Sequence, residues 1–221
     1  MAGQANVAVG IKQVVNRNLG EAHGRNGRQR PTLVRLGWSD PAGVMRALDL
    51  GVRGVICPMV DTAEDAAAFV RFCRYPPLGA RSYGPIRSAF GTGRDQADAA
   101  NAAILAFAQI ETAQGWANVE AICATPGLDG AYVGPADLSL TLGFEGFADL
   151  ASREMLDALD RVVAAASAHD VVPGIHAPSI ERAVELARHG FRFVGSAGDT
   201  ELLRAGAAES LERTRADARI G

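Results

Sequence analysis

From Pro31 onward, the chain alternates short apolar runs with longer stretches in which apolar residues recur at helical spacing. The short runs have the length of buried strands, and the longer, Ala-rich stretches suit helices packed on a sheet. This alternation is typical of repeated βα units around a parallel sheet. Six strands are predicted, at 32–36, 54–59, 104–110, 130–133, 171–175 and 191–194. Six helices are predicted, at 41–50, 62–73, 114–124, 152–169, 179–189 and 200–218.

Polar side chains fall just after the predicted strands. In a TIM-type (β/α)8 barrel, this end of the sheet carries the catalytic residues. These side chains are Arg35, Asp61, Gln109, Glu111, Asp137, His176, Ser196 and Asp199. Only about six βα units are visible, and residues 1–30 contain one short β-like run at 7–9. We therefore expect an α/β barrel that is incomplete at its N-terminus, and the alternative is that residues 1–30 supply unusual strands.

The first 30 residues differ in character from the rest of the chain. They are interrupted by glycines and carry one acid, Glu21, against the basic residues Lys12, Arg17, Arg25, Arg28 and Arg30. We interpret 1–30 as an atypical basic segment and 31–221 as a single barrel domain. A solvated segment explains the composition of 1–30, and a targeting peptide is the alternative.

Composition excludes several classes of function. The 221 residues are 48% hydrophobic and carry a formal net charge of −3, so the basic surface of a nucleic-acid-binding protein is not expected. No apolar run reaches the roughly 18 residues of a membrane span, so we expect no membrane insertion. Cys57, Cys73 and Cys123 match no metal-binding spacing and are expected to be reduced core residues, which favours a cytoplasmic location.

Two carboxylates follow successive predicted strands. Glu111 ends "AFAQIE" and Asp137 lies in "GPADLS". Adjacent strands end about 5 Å apart, and two converging carboxylate oxygens suit Mg²⁺ or Mn²⁺. The alternative is that Glu111 and Asp137 cap the helices that follow them.

Other residues near the same strand ends suit anion or substrate binding. In "GPADLS", Gly134 permits close backbone approach, and the N–H groups of Ala136 and Asp137 would face a ligand where a short helix begins. Arg35 could stabilise an oxyanion or form a surface ion pair, and Gln109 shares a strand face with Glu111. His176 is either structural or catalytic. The Gly- and Pro-rich stretch 74–93 is interpreted as an active-site lid or a subunit contact.

Four segments, "LVRLGWSDP", "RYPPLGARSYGP", "QIET" and "LDGAYVGPADLSLTLG", together resemble the HpcH/HpaI aldolases, a family of metal-dependent class II aldolases acting on 2-oxo acids. The resemblance implies a barrel of the phosphoenolpyruvate/pyruvate-binding kind. It implies an activity like that of 4-hydroxy-2-oxoheptanedioate or 2-dehydro-3-deoxyglucarate aldolase, in aromatic or sugar acid catabolism, and a homo-oligomeric, cytoplasmic enzyme. The expected cofactor is Mg²⁺, Mn²⁺ or Co²⁺.

The resemblance also assigns roles to residues. Glu111 and Asp137 would hold the metal, while Gln109 and the backbone of Ala136 and Asp137 would bind pyruvate. Arg35 would stabilise the enolate oxygen. Asp49, in "RALDLG", would raise the basicity of a catalytic histidine, although its position alone suggests an exposed residue at a helix end.

The expected reaction is the cleavage of a 4-hydroxy-2-oxo acid to pyruvate and an aldehyde through a metal-stabilised enolate. The family's histidine base belongs to an early strand that the sequence lacks, and His23 lies outside any strand pattern. A metal-bound hydroxide or His176 is then the candidate base. The alternatives are a truncated, noncatalytic relative that binds metal and 2-oxo acid, or acts as a subunit, and a citrate-lyase-type C–C lyase.

Overall fold

A computed structural model of the protein describes residues 8–10, 32–84, 93–196 and 198–218. These residues form a parallel sheet of seven strands in the order β1-β7-β6-β5-β4-β3-β2. The strands are β1 (Ala8–Gly10), β2 (Leu33–Arg35), β3 (Gly54–Cys57), β4 (Leu105–Ile110), β5 (Gly130–Val133), β6 (Val172–Ala177) and β7 (Phe193–Ser196).

Helices connect the strands. They are α1 (Pro41–Asp49), α2 (Ala63–Cys73), α3 (Gly93–Ala103), α4 (Ala113–Ala117), α5 (Val119–Cys123), α6 (Pro135–Thr141), α7 (Arg153–Ala168), α8 (Ile180–His189) and α9 (Asp199–Ala218). Local capping fixes several of their starts. Asp40 caps α1, Thr62 and Asp65 form a capping box at α2, and Ser152 and Ser179 cap α7 and α8. Among the described residues, no helix is both long and apolar enough to span a membrane.

The sheet is curled, and with its helices it forms an incomplete TIM-type barrel. From β2 to β7 each strand pairs with the next one in the chain, and β1 pairs with β7 in parallel register. The order leaves β1 and β2 as the two edges of the described sheet. The expected fold class is therefore confirmed.

The predicted elements differ from the structure in three places. All six predicted strands form, Gly130–Val133 with the predicted bounds and the other five with shifted ends, and Ala8–Gly10, within the segment 1–30, adds a seventh strand. The rest of 1–30, including His23, lies outside the described residues. Helix α3 was not predicted, and the helix predicted at 114–124 is two short helices that meet at Asn118.

The two faces of the sheet have different packing. The outer face, carrying residues such as Val55, Ala108 and Ile110, packs against the helices in the larger hydrophobic core. The inner face, on the concave side, carries Ile56, Phe107 and Tyr132. Successive side chains of a strand alternate between these faces.

Aromatic rings on the inner face lie over glycines of the neighbouring strand. A Cβ added at Gly130 would lie 2.0 Å from Phe107 Cε1, and one at Gly174 would lie 2.8 Å from Tyr132 Cδ2. The rings of Phe107 and Tyr132 also each pack against Phe193, with centroids 5.4 and 5.7 Å apart. The aromatic rings thus fill the interior of the barrel in the space that the glycines leave open.

A partly buried ion pair joins three connections at the amino-terminal end of the sheet. Arg74, just after α2, donates to Asp129 Oδ2 at 2.8 Å and to the carbonyl of Ile104 at 2.7 Å. Asp129 Oδ2 also accepts from the backbone N–H of Ala106 at 2.7 Å. The network leaves the opposite, carboxyl-terminal end of the strands available for a site.

Candidate active site

Glu111 is the central residue at the carboxyl-terminal end of the sheet. It directly follows β4, and only 1% of it is exposed. Its Oε1 accepts from the backbone N–H of Met59 at 2.9 Å, and its Oε2 accepts from Gln109 Nε2. Met59 has a φ of 56°, in the left-handed region that non-glycine residues rarely adopt, so the loop after β3 holds an uncommon conformation at this contact. The carboxylate is therefore buried and fixed in orientation.

The surroundings of Glu111 disfavour its charged form. Burial is the main cause that raises its pKa above the usual range, and the carboxylate of Asp137 raises it further. The hydrogen bond from Met59 and the charge of Arg35 act in the opposite direction without cancelling the effect. A cation bound between Glu111 and Asp137 would relieve this penalty.

Gly134 makes room for the buried side chains of Gln109 and Glu111. A Cβ at this position would lie 2.6 Å from Glu111 Oε2 and 2.7 Å from Gln109 Nε2. A methyl group therefore cannot be added without displacing one of them. The function predicted for Gly134, close approach to a ligand, is accompanied here by close approach to Glu111.

The turn "GPADLS" begins helix α6 as expected. Gly134 is its N-cap and has no capping side chain, and Pro135 occupies the start. Ala136 and Asp137 fall in the first turn, where backbone N–H groups lack intrahelical partners. Asp137 is exposed, and its carboxyl lies close enough to Glu111 to affect its pKa.

The alternative that the two carboxylates cap helices is wrong. Helix α4 is capped by Thr112, whose Oγ1 accepts from Gly115 N–H at 2.8 Å. Helix α6 starts at Gly134, before Asp137. Neither Glu111 nor Asp137 is needed as an N-cap, so both carboxylates remain candidates for ligand binding.

Arg35, on β2, and Gln109, on β4, lie at the same end of the sheet as the two carboxylates. Arg35 is the half-buried last residue of β2, and its charge influences Glu111. Gln109 is buried, and its Oε1 has no hydrogen-bond partner. An unsatisfied buried acceptor is costly unless a ligand or water completes it.

Asp49 is not brought to this group. It ends α1, and residues 50–53 lead from it to the start of β3, which places it toward the amino-terminal end of the sheet. Only 8% of Asp49 is exposed, so the expected exposed position is wrong, and its Oδ1 accepts from the buried Arg81 at 2.6 Å. Its role beside a catalytic histidine stays a prediction. In the stretch 74–93, Arg81 thus contacts α1, while 85–92 lie outside the described residues.

The residues present fit a hard divalent cation. Among the described residues, no cluster of three or more His, Cys, Asp or Glu side chains is found, so protein ligands would be two carboxylates at most. Mg²⁺ and Mn²⁺ accept such sites, completing their coordination with water and substrate oxygens. Glu111 is buried beside Asp137 and its charged form is disfavoured, which is consistent with two carboxylates that share a bound cation.

Several supporting contacts were not anticipated. Thr141 Oγ1 donates to the backbone carbonyl of Glu111 at 3.3 Å, joining α6 to the end of β4. Thr112 Oγ1 also bonds to Asp61, and Asn118 Nδ2 donates to the carbonyl of Asp61 at 2.8 Å. The Thr112–Gly115 spacing is a readable capping signal, whereas the Met59 contact depends on a backbone conformation with no sequence signature.

An α/β barrel with a buried carboxylate, a second carboxylate and a cation-compatible site at the carboxyl ends of its strands is a typical metal-assisted enzyme scaffold. Residues 21–205 match the family described as HpcH/HpaI aldolase/citrate lyase. The chain belongs to this family.

Individual relatives agree with this assignment. The chain is 41% identical over 175 residues to a 4-hydroxy-2-oxovalerate aldolase of Rhodococcus jostii, covering 77% of the chain and 66% of the relative. It is 36% identical over 189 residues to a hydroxypyruvate/pyruvate aldolase of Paraburkholderia phytofirmans, covering 83% of the chain and 72% of the relative. The chain thus spans about two thirds of the first relative's length.

Solved structures give the same result. A HpcH/HpaI aldolase/citrate lyase family protein from Burkholderia cenocepacia superposes with a TM-score of 0.76 at 35% identity, covering 85% of this chain and 74% of that one. A HpcH/HpaI aldolase from Desulfitobacterium hafniense superposes with a TM-score of 0.75 at 29% identity, covering 84% of this chain and 72% of that one. Family and fold therefore agree.

Proposed function

We propose that the protein is a divalent-metal-dependent lyase that cleaves a 4-hydroxy-2-oxo acid to pyruvate and an aldehyde. The observation that carries this proposal is the buried Glu111, held by Met59 N–H and Gln109 and lying beside Asp137. Relatives named as 4-hydroxy-2-oxovalerate and hydroxypyruvate/pyruvate aldolases support the reaction class.

Glu111 and Asp137 are the residues that would hold the metal. Mg²⁺ and Mn²⁺ suit the oxygen donors, and Co²⁺ is a further candidate. When bound, the ion would supply positive charge that stabilises negative charge on the substrate's 2-oxo oxygen. Glu111 must be ionised to bind it, and because burial raises its pKa, metal affinity should fall as the pH decreases.

The substrate's 2-oxo acid portion would lie over the start of α6. The N–H groups of Ala136 and Asp137 would donate to the carboxylate, as amides at a helix start do. The amide group of Gln109 would contact the same portion of the substrate. Arg35 would stabilise the enolate oxygen, because a guanidinium placed where charge develops lowers the barrier.

Cleavage needs a proton acceptor at the 4-hydroxyl group. When the proton leaves, the O–H electron pair forms the aldehyde C=O, the C3–C4 bond breaks, and its electrons form the pyruvate enolate. A proton added at C3 then gives pyruvate. Asp49 is not proposed as this acceptor, because its carboxylate pairs with Arg81. Its proposed role is to raise the basicity of a catalytic histidine.

Assembly as a homo-oligomer is part of the proposal. Helix α9 has no buried residue in this chain, and its Leu202, Leu203 and Leu211 are at least half exposed. A second copy would cover these leucines. A cytoplasmic location is proposed from the free thiols of Cys57, Cys73 and Cys123, all buried and unpaired with one another.

A noncatalytic relative that binds metal and 2-oxo acid is the second candidate. The observation that favours it is that Asp49, the acid expected beside the catalytic histidine, pairs with Arg81 at 2.6 Å instead of joining the two carboxylates. Binding at Glu111 and Gln109 requires only strands and loops that are described here, whereas turnover also requires the proton acceptor.

Pyruvate release tests the proposal. The purified chain is incubated with 4-hydroxy-2-oxopentanoate and Mg²⁺ or Mn²⁺, with and without EDTA, and pyruvate is measured with lactate dehydrogenase and NADH. We expect metal-dependent release that is lost in Glu111→Gln and kept in the exposed control Glu145→Gln. A folded wild type that binds metal and pyruvate without releasing product supports the second candidate instead.

A further inference from the structure

His176 lies on the same face of the sheet as the proposed site. Val172 and Gly174 precede His176 on β6 by four and two residues. Both contact the aromatic residues of the inner face. Side chains alternate along a strand, so His176 shares that face. Its ring lies near β7, since Nδ1 is 3.5 Å from the position of a Cβ added at Gly195.

The strand register places His176 level with Glu111. Ile110 pairs with Val133, and Val133 pairs with Ile175. The next position on each strand is therefore Glu111, Gly134 and His176. Two strand spacings separate Glu111 from His176, about 10 Å between their backbones.

Gly134 is the residue between them, and it has no side chain. Neither Glu111 nor His176 is thus screened from the other by a side chain of β5 at this level. A 2-oxo acid bound between the two side chains would have its carbonyl end toward Glu111 and its hydroxyl end toward His176.

The other described histidines are placed for different roles. His169 is the C-cap of α7, and its Nε2 lies 2.6 Å from Glu120 Oε1. His189 ends α8, and its Nε2 lies 2.9 Å from Asp160 Oδ1. Both follow helices that run back to the amino-terminal end of the sheet. Within the described residues, His176 is therefore the histidine at the site's end.

We propose that His176 accepts the proton of the substrate's 4-hydroxyl group. The inference rests on the proposed function. Because Nδ1 is buried near Gly195, we assign the transfer to Nε2. Neutral imidazole takes the proton, the C3–C4 bond breaks as the aldehyde forms, and the electron pair passes to the enolate. The imidazolium then returns the proton to C3, so the reaction consumes no other reactant.

The groups around His176 bear on its titration. Tyr132 on β5 is an ionisable neighbour, since its Oη lies 2.9 Å from the same added Cβ at Gly195. Burial raises the pKa of Tyr132, which keeps this phenol neutral at ordinary pH. Glu111 after β4 and Asp137 on α6 are the carboxylates on that side, Arg35 on β2 is the cation, and β7 itself (Phe193–Ser196) adds no charged side chain.

Comparing aldol cleavage with a second reaction tests the proton transfer by His176 separately from metal and substrate binding. Decarboxylation of oxaloacetate gives the same pyruvate enolate by losing CO₂, with no hydroxyl proton to remove. Both reactions are measured for wild type, His176→Gln, Glu111→Gln and the control His169→Gln. We expect His176→Gln to lower kcat for aldol cleavage about 10²- to 10⁴-fold, the typical contribution of a general base, with decarboxylation within a few-fold of wild type. Glu111→Gln should lose both reactions, and His169→Gln should keep both.

The outcomes distinguish the two proposals. If wild type performs neither reaction, the proposed function fails, and this inference fails with it. If wild type performs both and His176→Gln cleaves normally, or loses both equally, His176 is not the base. A second readout does not depend on turnover. In the Mg²⁺-loaded protein without substrate, the NMR signal of the His176 ring should titrate at the pH of the acid limb of the wild-type kcat/KM profile, which reports the free enzyme, and a mismatch overturns the assignment.

Discussion

The backbone N–H of Met59 donates to Glu111 Oε1 at 2.9 Å, and this bond joins the loop after β3 to the carboxylate after β4. One carboxylate oxygen is thereby fixed by backbone, while the other faces Gln109. Orientation by a main-chain donor survives changes in neighbouring side chains. The position of Glu111 is thus set by the fold before any ligand binds.

Glu111→Gln should stabilise the protein while removing activity. Burial raises the pKa of Glu111, so its ionisation at neutral pH opposes folding. We expect a gain of about 1 kcal/mol in the free energy of unfolding at pH 7, a size common where function costs stability. Urea denaturation measures it.

The difference in stability between wild type and Glu111→Gln should depend on pH. A carboxyl group with a raised pKa in the folded state stabilises most when protonated, so wild type gains stability as pH falls through that pKa. Glutamine does not titrate, and the advantage of the variant should shrink toward acidic pH. A constant difference, or a variant less stable than wild type at pH 7, contradicts the account. Glu145→Gln, at an exposed position, serves as the control.

Gly134→Ala should damage the site through steric conflict. The added methyl group would lie 2.6 Å from Glu111 Oε2, and we expect a loss of about 1–3 kcal/mol in stability together with weaker metal binding. Calorimetric titration with Mn²⁺ measures the binding. Gly37→Ala, where an added Cβ meets nothing within 4 Å, is the matched control at the same end of the sheet. Equal Mn²⁺ affinity in both variants would show that Glu111 does not bind metal at this position.

Arg74→Met should destabilise the fold without touching the site. It breaks the pair with the partly exposed Asp129 and the bond to the buried Ile104 carbonyl, and losing these hydrogen bonds costs about 1–3 kcal/mol. Arg153→Met breaks an exposed helix pair with Asp157 and should cost about 0.5 kcal/mol or less. Thermal unfolding compares them. Similar midpoints would mean that the Arg74 network contributes little.

Replacing Leu202 and Leu203 with serine should reduce self-association. Both leucines are exposed on α9, and burial of apolar side chains drives association of subunits. Light scattering coupled to size-exclusion chromatography should show an oligomer for wild type and smaller species for the double variant. The polar exchange Thr214→Ser on the same helix is the control. A monomeric wild type would contradict the proposed assembly.

Sequence patterns located most of the fold because the buried strands are strongly apolar. The strand at Gly130–Val133 was predicted to the residue, and the others shifted only at their ends. Helix α3 was not predicted because it has few large apolar residues between Gly93 and Ala103. The short strand Ala8–Gly10 depends on pairing with β7, a tertiary contact that three residues cannot encode locally.

The candidate site was partly readable for a similar reason. Side-chain type and strand position pointed to Glu111, Asp137 and Gln109, since strand ends define the mouth of a barrel. The donor Met59 N–H was not readable, because it requires a positive φ at a methionine. Nor does any local pattern reveal that Asp49 pairs with Arg81, which is distant in the chain.

The ring of Phe107 and the bare backbone of Gly130 occupy one space between them. Their evolution is consequently coupled in a fixed order. Residue 107 must shrink before residue 130 can acquire a side chain, and a lineage that has filled position 130 cannot regain the large ring without reversing that step. Homologues should therefore separate into two groups, a large residue facing glycine or a small residue facing a larger one, with few intermediates.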